Sequence, residues 1–318
     1  MTASIRSTAL SRRSALTLGG LTAVGAALAP VAASAAPVGT ARRGPGWRDH
    51  ATLAQSLAAL EREASVTIGV MAVTYGDRRS FSYRAGDLFP MCSLFKVLAA
   101  AALVRDRGYD ETYWSTPIAF SESDIVRDSP ILSDPERPRE ATPEQLADAA
   151  IRFSDNTAGN LLLRELGGPS AITAFAALLG ATRTRLDRWE PELNEAIPGD
   201  HRDTTTPGDI ARLYQALLLD DAAGVLASSR LREWMLRCAT SGARMRAGLV
   251  GPYELADKTG GGDYGVVNDA GVLWQPGADP LTLVVLTRTD RSEAVRNDEV
   301  IARVTRLVVE SRPATPAR

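Results

Sequence analysis

Strand-like segments occur near both ends of this chain, and a long stretch of helical sequence separates them. Apolar, β-branched and aromatic residues concentrate in four short segments, at residues 66–74, 81–83, 271–274 and 281–287. From about residue 93 to residue 236 the sequence favours helices, and helical spacing of apolar residues predicts two more helices, around 53–60 and 300–308. The economical arrangement is one antiparallel sheet built from both ends of the chain.

The helical block predicts an inserted domain. Inside it, Thr142 is followed by Pro143 and Gln145, which together give the proline and the capping box of a helix start. We therefore predict an α/β plus all-α fold, an antiparallel sheet flanked by helices with an all-helical domain inserted into it. The α/β domain is predicted at residues 36–88 and 240–318, and the helical domain, which includes a loop at 188–203, at residues 89–239.

The first 35 residues have the features of an export signal. Arg12 and Arg13 form a twin-arginine pair, an apolar run follows at 16–31, and the small residues 33–35 offer a cleavage site. The run is short and is broken by glycines and a proline, which argues against a membrane-spanning helix. We expect a secreted or periplasmic, cell-envelope protein without a membrane anchor after cleavage.

Charge and rare residue types exclude several classes of function. The formal net charge is −2, so the chain has no general basic footprint for nucleic acid. The two histidines, His50 and His201, have neither zinc-ligand spacing nor the context of a Ser-His-Asp triad, and we expect no metal and no cofactor. The two cysteines, Cys92 and Cys238, are expected to be free, buried thiols.

Only two of the 36 basic residues are lysines, Lys96 and Lys258. An arginine side chain keeps its proton in proteins, whereas a lysine amine can be tuned into a base or a proton relay. Codon bias explains the excess of arginine, but it does not explain why both lysines fall in short motifs with catalytic spacing.

The first motif pairs Ser93 with Lys96. The residues after Ser93 are strong helix formers, so the two side chains share one helix face, and Ser93 meets the free amides of the helix N-terminus. Lys96 then lies within reach of the Ser93 hydroxyl as a proton acceptor or relay. Taken alone, the pattern fits a surface helix with one lysine equally well, and Cys92 is a second candidate nucleophile.

A second motif, Ser154-Asp155-Asn156, lies between two helical stretches. A hydroxyl, a carboxylate that fixes the local backbone and a carboxamide suit a substrate-facing loop. All three residue types also favour helix N-caps, and the motif alone favours a cap.

A third motif, Lys258-Thr259 followed by glycines at 260–262, occurs where the strand signal resumes. The glycines let a substrate lie against a strand edge, and the lysine with its neighbouring hydroxyl suits a carboxylate. The competing interpretation is a glycine-rich turn with an exposed lysine.

A fourth feature is the segment from Glu190 to Asn194, within an irregular stretch. It fits a solvated acidic loop, but a carboxylate and a carboxamide could also hold a water molecule. An acyl-enzyme requires an activated water to turn over, and a carboxylate is the expected base.

These motifs, in this order, resemble those of the class A serine β-lactamases. Residues 188–207 are similar to the omega loop of that family almost residue for residue, and the resemblance covers essentially the whole chain after the signal. It implies the serine β-lactamase/DD-peptidase-like fold and a monomer that hydrolyses small-molecule β-lactams without a cofactor.

The resemblance also implies a role for each residue of the reaction itself. Ser93 would be the acylated nucleophile, Lys96 its proton acceptor or relay, and Ser154 the proton donor to the lactam nitrogen. Glu190 would activate the deacylating water. Whether Glu190 or Lys96 starts acylation stays open, and the backbone amides of Ser93 and Gly261 would form the oxyanion hole.

The remaining matched residues would bind the substrate or hold the omega loop. Asn156 would hydrogen-bond the substrate's side-chain amide, and Asn194 would help Glu190 with the water. Lys258 and Thr259 would hold the substrate carboxylate. The resemblance further implies that Arg188 and Asp203 pair to close the loop.

Two departures from the family pattern affect substrate recognition. The arginine that many members place after the glycine-rich motif corresponds to Val267, whereas Arg244 fits the alternative placement of actinobacterial-type enzymes. At the aromatic gate position the chain has Asp128, which puts apolar stacking of the substrate in doubt.

Two other functions share part of this motif set. A penicillin-binding DD-peptidase would use Ser93 and Lys96 but has no need of Glu190 and Asn194. A β-lactam sensor would be acylated and stay so, but sensors usually carry a transmembrane signalling segment.

Overall fold

The structure is a computed structural model that describes Trp47 and residues 50–312. The predicted export signal at residues 1–35 lies outside the described residues. Within 50–312, the strands are β1 (Thr67–Thr74), β2 (Ser80–Tyr83), β3 (Phe89–Pro90), β4 (Ile118–Ala119), β5 (Glu140–Ala141), β6 (Thr204–Thr205), β7 (Glu254–Gly261), β8 (Val267–Trp274) and β9 (Leu281–Arg288). The helices are α1 (His50–Ala64), α2 (Phe95–Arg107), α3 (Glu111–Ser115), α4 (Pro143–Arg152), α5 (Asn156–Glu165), α6 (Ser170–Leu178), α7 (Pro207–Leu218), α8 (Val225–Leu236), α9 (Met245–Gly248) and α10 (Asp298–Glu310).

The main sheet has five antiparallel strands in the order β2-β1-β9-β8-β7. Its central pairing joins the two ends of the chain, because Val70 of β1 lies opposite Val285 of β9. This confirms the predicted sheet and its helical insertion. β7 begins at Glu254, earlier than the strand signal in the sequence. That signal is missing there because the segment contains polar residues, and tertiary contacts bury most of them.

Both faces of the sheet are covered by helices, as binary patterning of its strands requires. One face packs against α1 and α10 through residues such as Leu57 and Val304, and the other packs against the helical layer through residues such as Val284. Each fully buried aliphatic side chain of this kind contributes roughly 1.5–3 kcal/mol. The cut points between the predicted domains, near residues 88 and 240, stay predictions.

Helix α2 occupies the centre of the helical layer. Its residues 95–104 are all buried, and such a helix without a polar face must lie inside the protein. Lys96 is therefore carried into the interior by the alanine-rich and apolar residues around it. The capped helix predicted at Thr142 is confirmed as α4, in which Thr142 accepts a hydrogen bond from the Gln145 amide.

Among residues 50–312, no single helix has the length and apolar composition needed to cross a bilayer. Helices α5 and α6 meet that test only when taken together, and the chain bends by 72° between them.

Candidate active site

A cleft of about 400 Å³ is lined by residues of the helical insertion and of β7. Seven of the ten predicted site residues line it: Ser93, Ser154, Asn156, Asn194, Arg244, Thr259 and Gly261. The other three, Lys96, Glu190 and Lys258, are buried and form hydrogen bonds or ion pairs with residues of the lining. The fold therefore brings all ten predicted residues together.

Ser93 lies in a single 3₁₀ turn, Cys92–Leu94, that leads directly into α2. The turn starts from Cys92 in the left-handed region, with φ of 48°, which is uncommon for a residue with a side chain. Because the first amides of a helix lack partners within it, this geometry presents backbone N–H groups beside the Ser93 hydroxyl. β7 runs close by, since a Cβ on Gly260 would lie 3.2 Å from the Cβ of Cys92.

Lys96 is fully buried and its ammonium group has three oxygen partners. Nζ lies 3.1 Å from Glu190 Oε1 and donates to the Ser154 carbonyl and to Asn156 Oδ1, each at 2.7 Å. Space around it is tight, because a Cβ on Gly159 would lie 2.8 Å from Lys96 Cε. Lysine is buried at low cost only when its charge is compensated in this way.

Glu190 connects the nucleophile motif to the omega loop. Its Oε1 accepts a 3.5 Å hydrogen bond from Ser93 Oγ and lies 3.1 Å from Lys96 Nζ, so one carboxylate oxygen contacts both residues of the first motif. Asn194 Nδ2 donates to the other oxygen, Oε2. Asn194 Oδ1 is buried and has no donor among the described residues.

The position of Glu190 depends on Asn160, a residue that the sequence analysis missed. Asn160 Nδ2 donates to the Glu190 carbonyl and Asn160 Oδ1 accepts from the Glu190 amide, both at 2.9 Å. Asn160 follows Asn156 by four residues on α5, so the two carboxamides share a helix face. That spacing was the one signal in the sequence that pointed to it.

The predicted ion pair at the base of the omega loop is confirmed. Arg188 Nε lies 2.6 Å from Asp203 Oδ2, and Asp203 Oδ1 accepts from the amides of Asp187 and Arg188 at 2.7 and 2.9 Å. A second pair joins Arg188 to Glu195 at 2.5 Å. Because Asp203 is buried, these bonds hold the two ends of the loop together in a region where solvent screens them weakly.

The Ser154-Asp155-Asn156 motif is both a helix cap and part of the cleft. Asp155 caps α5 by accepting from the Ala158 amide, and its other oxygen accepts from the amides of Ile131 and Leu132, each at 2.9 Å. Ser154 is held at φ of 61°. Such strain costs energy and persists where the surroundings fix the residue, as they do at functional sites.

Lys258 differs from Lys96 in its partners. Its Nζ donates to Ser154 Oγ at 2.9 Å and to the Thr259 carbonyl at 2.8 Å, and both acceptors are neutral. Burial, with a smaller contribution from the nearby charge of Lys96, lowers the pKa of Lys258 to about 7. Ser154 thus connects the two lysines, through its hydroxyl to one and its carbonyl to the other.

Arg244 lies at the β7 end of the cleft. Its Nη1 donates to the carbonyls of Gly260 and Asn268 at 2.6 and 2.8 Å, and its Nε lies 2.7 Å from Asp298 Oδ1. Val267, predicted to replace the arginine of many family members, is buried opposite Gly261. Arg244 therefore supplies a cation to the same part of the cleft from another segment of the chain.

Two further residues of this end were not predicted. Thr240 Oγ1 lies 2.5 Å from Thr259 Oγ1, which places two hydroxyls side by side. Arg296 also lines the cleft, and a Cβ on Gly261 would lie 3.2 Å from its guanidinium carbon. Neither residue belongs to a recognisable motif, because both reach the cleft from sequence-distant segments.

The cysteines are free and buried, as predicted. Burial and the charge of Glu190 raise the pKa of Cys92 to about 12, so its thiol stays protonated and the candidate nucleophile beside Ser93 is a poor one. Within the described part of the chain, no group of three or more His, Cys, Asp or Glu residues could hold a metal ion. The absence of a metal cofactor stays a prediction.

Comparisons with known proteins agree with this fold. A model of the beta-lactamase enzyme family matches residues 52–311. A β-lactamase of Streptomyces albus G is 43% identical over 311 residues, 95% of this chain and 97% of the relative, and one of Streptomyces lavendulae is 44% identical over 305 residues, 95% and 97%. The solved structure of the Streptomyces albus G enzyme has a TM-score of 0.79 at 44% identity, over 82% of this chain and 99% of that one.

The fold and the cleft define a hydrolase that acts on β-lactams. The chain belongs to the beta-lactamase enzyme family. The resemblance to class A predicted from its motifs is confirmed, and the activity is hydrolysis of the β-lactam amide, which confers antibiotic resistance.

Proposed function

We propose that hydrolysis proceeds through an acyl-enzyme on Ser93. Ser93 Oγ attacks the lactam carbonyl and its proton passes to the Glu190 carboxylate, with Lys96 beside it to stabilise or relay the charge. The observation that carries this proposal is the buried contact among these three groups, in which Glu190 Oε1 lies 3.5 Å from Ser93 Oγ and 3.1 Å from Lys96 Nζ.

The carbonyl oxygen becomes negatively charged as the tetrahedral intermediate forms. The backbone amides of Ser93 and Gly261 are the proposed donors to it, because one lies in the 3₁₀ turn that leads into α2 and the other ends β7 at the cleft. Donors of this kind are fixed before the reaction starts, so they cost no reorganisation. Removing one such donor typically slows acyl transfer by about 10²- to 10³-fold.

Ring opening breaks the C–N bond, and the lactam nitrogen then requires a proton. Ser154 Oγ is the proposed donor, and the Lys258 ammonium 2.9 Å away stabilises the oxyanion that Ser154 becomes while keeping its own proton. Exchange with solvent returns a proton to Ser154 and removes one from Glu190 before the second half of the reaction.

Deacylation uses a water molecule held by Glu190 and Asn194. Two acceptors meet there, the Glu190 carboxylate and the unpartnered Asn194 Oδ1, and they can accept both hydrogens of one water. The water's lone pair is then free to attack the ester. Glu190 takes a proton from the water and delivers one to Ser93 Oγ as the ester breaks.

The substrate is held by its carboxylate at the β7 end of the cleft and by its side-chain amide at the other. We propose that Lys258, Thr259 and Arg244 bind the carboxylate, since Thr259 and Arg244 line the cleft there and the buried Lys258 directly precedes Thr259 on β7. Asn156 is proposed to bind the amide.

The acyl-enzyme is tested by mixing the purified protein with benzylpenicillin and following ring opening and intact mass together. We expect many turnovers with a transient adduct, and for Ser93→Ala a loss of at least about 10⁴-fold in kcat with no adduct. A stable one-to-one adduct without turnover would instead fit a penicillin-binding DD-peptidase or a sensor. An active Ser93→Ala enzyme would refute the nucleophile.

We further propose that the chain is exported by its twin-arginine signal and acts as a monomer outside the cytoplasm. The support is the pair Arg12 and Arg13, the apolar run after it and the small residues at 33–35. Replacing both arginines with lysine should keep the precursor in the cell, whereas continued export would contradict this signal.

A further inference from the structure

Asp128 lies at the position of the family's aromatic gate residue, and the family resemblance offered no account of it. It is exposed, lines the cleft, and has no hydrogen bond or ion pair to its carboxylate among the described residues. Its backbone is in the left-handed region, with φ of 61°. Asparagine and aspartate tolerate that conformation better than most residues, so the position can be changed to asparagine without backbone strain.

The backbone of Asp128 is fixed to Asn156. The Asn156 amide donates to the Asp128 carbonyl at 3.1 Å, and Asn156 Nδ2 donates to the Arg127 carbonyl at 3.0 Å. Asp128 therefore lies at the end of the cleft where Asn156 is presented. If Asn156 binds the side-chain amide of the substrate, the substrate atoms next to that amide lie near Asp128.

Among the described charged residues at this end of the cleft, Asp128 has no oppositely charged side chain within ion-pair distance. Arg127, the neighbour of Asp128, faces Asp263, with 4.0 Å between Nη2 and Oδ2, and both side chains are about half exposed. At the opposite end, Arg244 is paired with Asp298, and Lys258 contributes a further cation. The field along the cleft thus runs from cationic at the carboxylate end to anionic at Asp128.

We propose that Asp128 selects β-lactams whose acylamino side chain carries a cation, such as an ammonium group on the carbon next to the amide carbonyl. This inference rests on the proposed function, in particular on the role of Asn156. A penicillin with such a group carries charges of opposite sign at its two ends, and they match the two ends of the cleft. Exposed ion pairs are weak, so the expected preference is about two- to fivefold per unit charge.

Three penicillins that share one phenyl side chain test this selection. Benzylpenicillin has a neutral methylene next to the amide carbonyl, ampicillin has an ammonium group there, and carbenicillin has a carboxylate. The measured quantity is kcat/KM of each compound relative to benzylpenicillin, in the original enzyme and in Asp128→Asn. We expect Asp128→Asn to lower the ampicillin ratio and raise the carbenicillin ratio, each by about two- to fivefold.

A matched control is Glu310→Gln, which makes the same change from carboxylate to amide at the exposed C-terminal end of α10. This position lies about 18 Å along the helix from Asp298, beyond the range of a screened charge. Both ratios should stay unchanged in the control. Raising the salt concentration should also shrink the effect of Asp128→Asn, because the interaction is electrostatic.

The possible outcomes distinguish failure of this inference from failure of the acyl-enzyme mechanism on which it rests. Ratios that are the same in both enzymes, while benzylpenicillin is still hydrolysed, would overturn the selection and leave the acyl-enzyme mechanism intact. Failure of the original enzyme to hydrolyse any of the three compounds would overturn both. A lower ampicillin ratio with an equally lower carbenicillin ratio would show a steric effect and also overturn the selection.

Discussion

The two sides of the cleft each contain a buried lysine, but their surroundings differ. Lys96, at the floor, has a carboxylate partner in Glu190 and two further oxygen acceptors. Lys258, in the β7 wall, donates to the neutral oxygens of Ser154 and Thr259, and burial lowers its pKa to about 7. The same side chain is thus a compensated charge in one place and a group that titrates near neutral pH in the other.

Under the proposed mechanism, this difference lets one cleft both bind an anion and perform acyl transfer. On the floor, the lysine and the carboxylate lie together beside Ser93, where the mechanism places bond making. In the wall, the mechanism assigns the Lys258 ammonium, whose two acceptors are neutral, to the substrate's own carboxylate. If this division is correct, variants of the floor should change kcat and variants of the wall should change KM.

Among the variants that test the difference between the two lysines, Lys96→Met is expected to have the largest effect. It should lower kcat by roughly 10³-fold, because it removes a proton relay and leaves the Glu190 carboxylate buried without its cation. Lys96→Arg should not rescue activity, since a guanidinium holds its proton and the space limited by Gly159 is too small for it. Steady-state kinetics with benzylpenicillin checks both variants. A kcat within tenfold of that of the original enzyme would contradict the assignment of kcat to the floor of the cleft.

Lys258→Ala should act mainly on KM. Loss of one charge-assisted hydrogen bond to the substrate carboxylate should raise KM by about 10- to 100-fold. The informative comparison is with a substrate whose ring carboxylate is esterified, for which the same variant should change KM little. Equal losses for both substrates would show that Lys258 does not bind the carboxylate.

Asn160→Ala tests whether the floor depends on the position of the omega loop. The variant loses both hydrogen bonds to the Glu190 backbone, so the carboxylate shifts and deacylation should slow by about tenfold. Rapid-quench kinetics separates acylation from deacylation. Deacylation at the original rate would show that the ion pair of Arg188 and Asp203 alone holds Glu190 in place.

The smallest expected effect is a pH dependence of KM that arises from Lys258 alone. With a pKa of about 7, its charged fraction falls as pH rises, from about nine-tenths at pH 6 to about one-quarter at pH 7.5. KM for carboxylate-bearing substrates should therefore rise severalfold over this interval. Lys258→Arg should flatten the profile, because arginine stays charged throughout. A profile that keeps its shape in this variant would assign the titration to another group.

Much of this architecture was predictable from local sequence patterns. Strand composition at 66–74 and 281–287 indicated the sheet, and the capping box at Thr142 indicated a helix start that the structure confirms. The rarity of lysine directed attention to Lys96 and Lys258, and the order of the motifs identified the family. These signals lie within short segments or in the composition, so they can be recognised without the three-dimensional structure.

Contacts between distant segments were not predictable in the same way. Helical spacing predicted that Lys96 lies near the Ser93 hydroxyl. It could not predict that the Lys96 ammonium also contacts Glu190, Ser154 and Asn156, which are about 60 or more residues away in sequence. Asn160 and Arg296 were missed because each acts on a segment about 30 residues from itself. Only the tertiary fold determines such distances, and no periodicity or motif contains them.

The most direct test of the account is the intact mass of Glu190→Ala during reaction with benzylpenicillin. The account predicts a one-to-one acyl-enzyme that persists, because Lys96 remains to assist acylation while the base for the deacylating water is gone, with deacylation slowed by roughly 10³-fold. Ser93→Ala under the same conditions should show the unmodified mass. Normal turnover by Glu190→Ala, without an accumulated adduct, would contradict the assignment of the floor of the cleft as the site of hydrolysis.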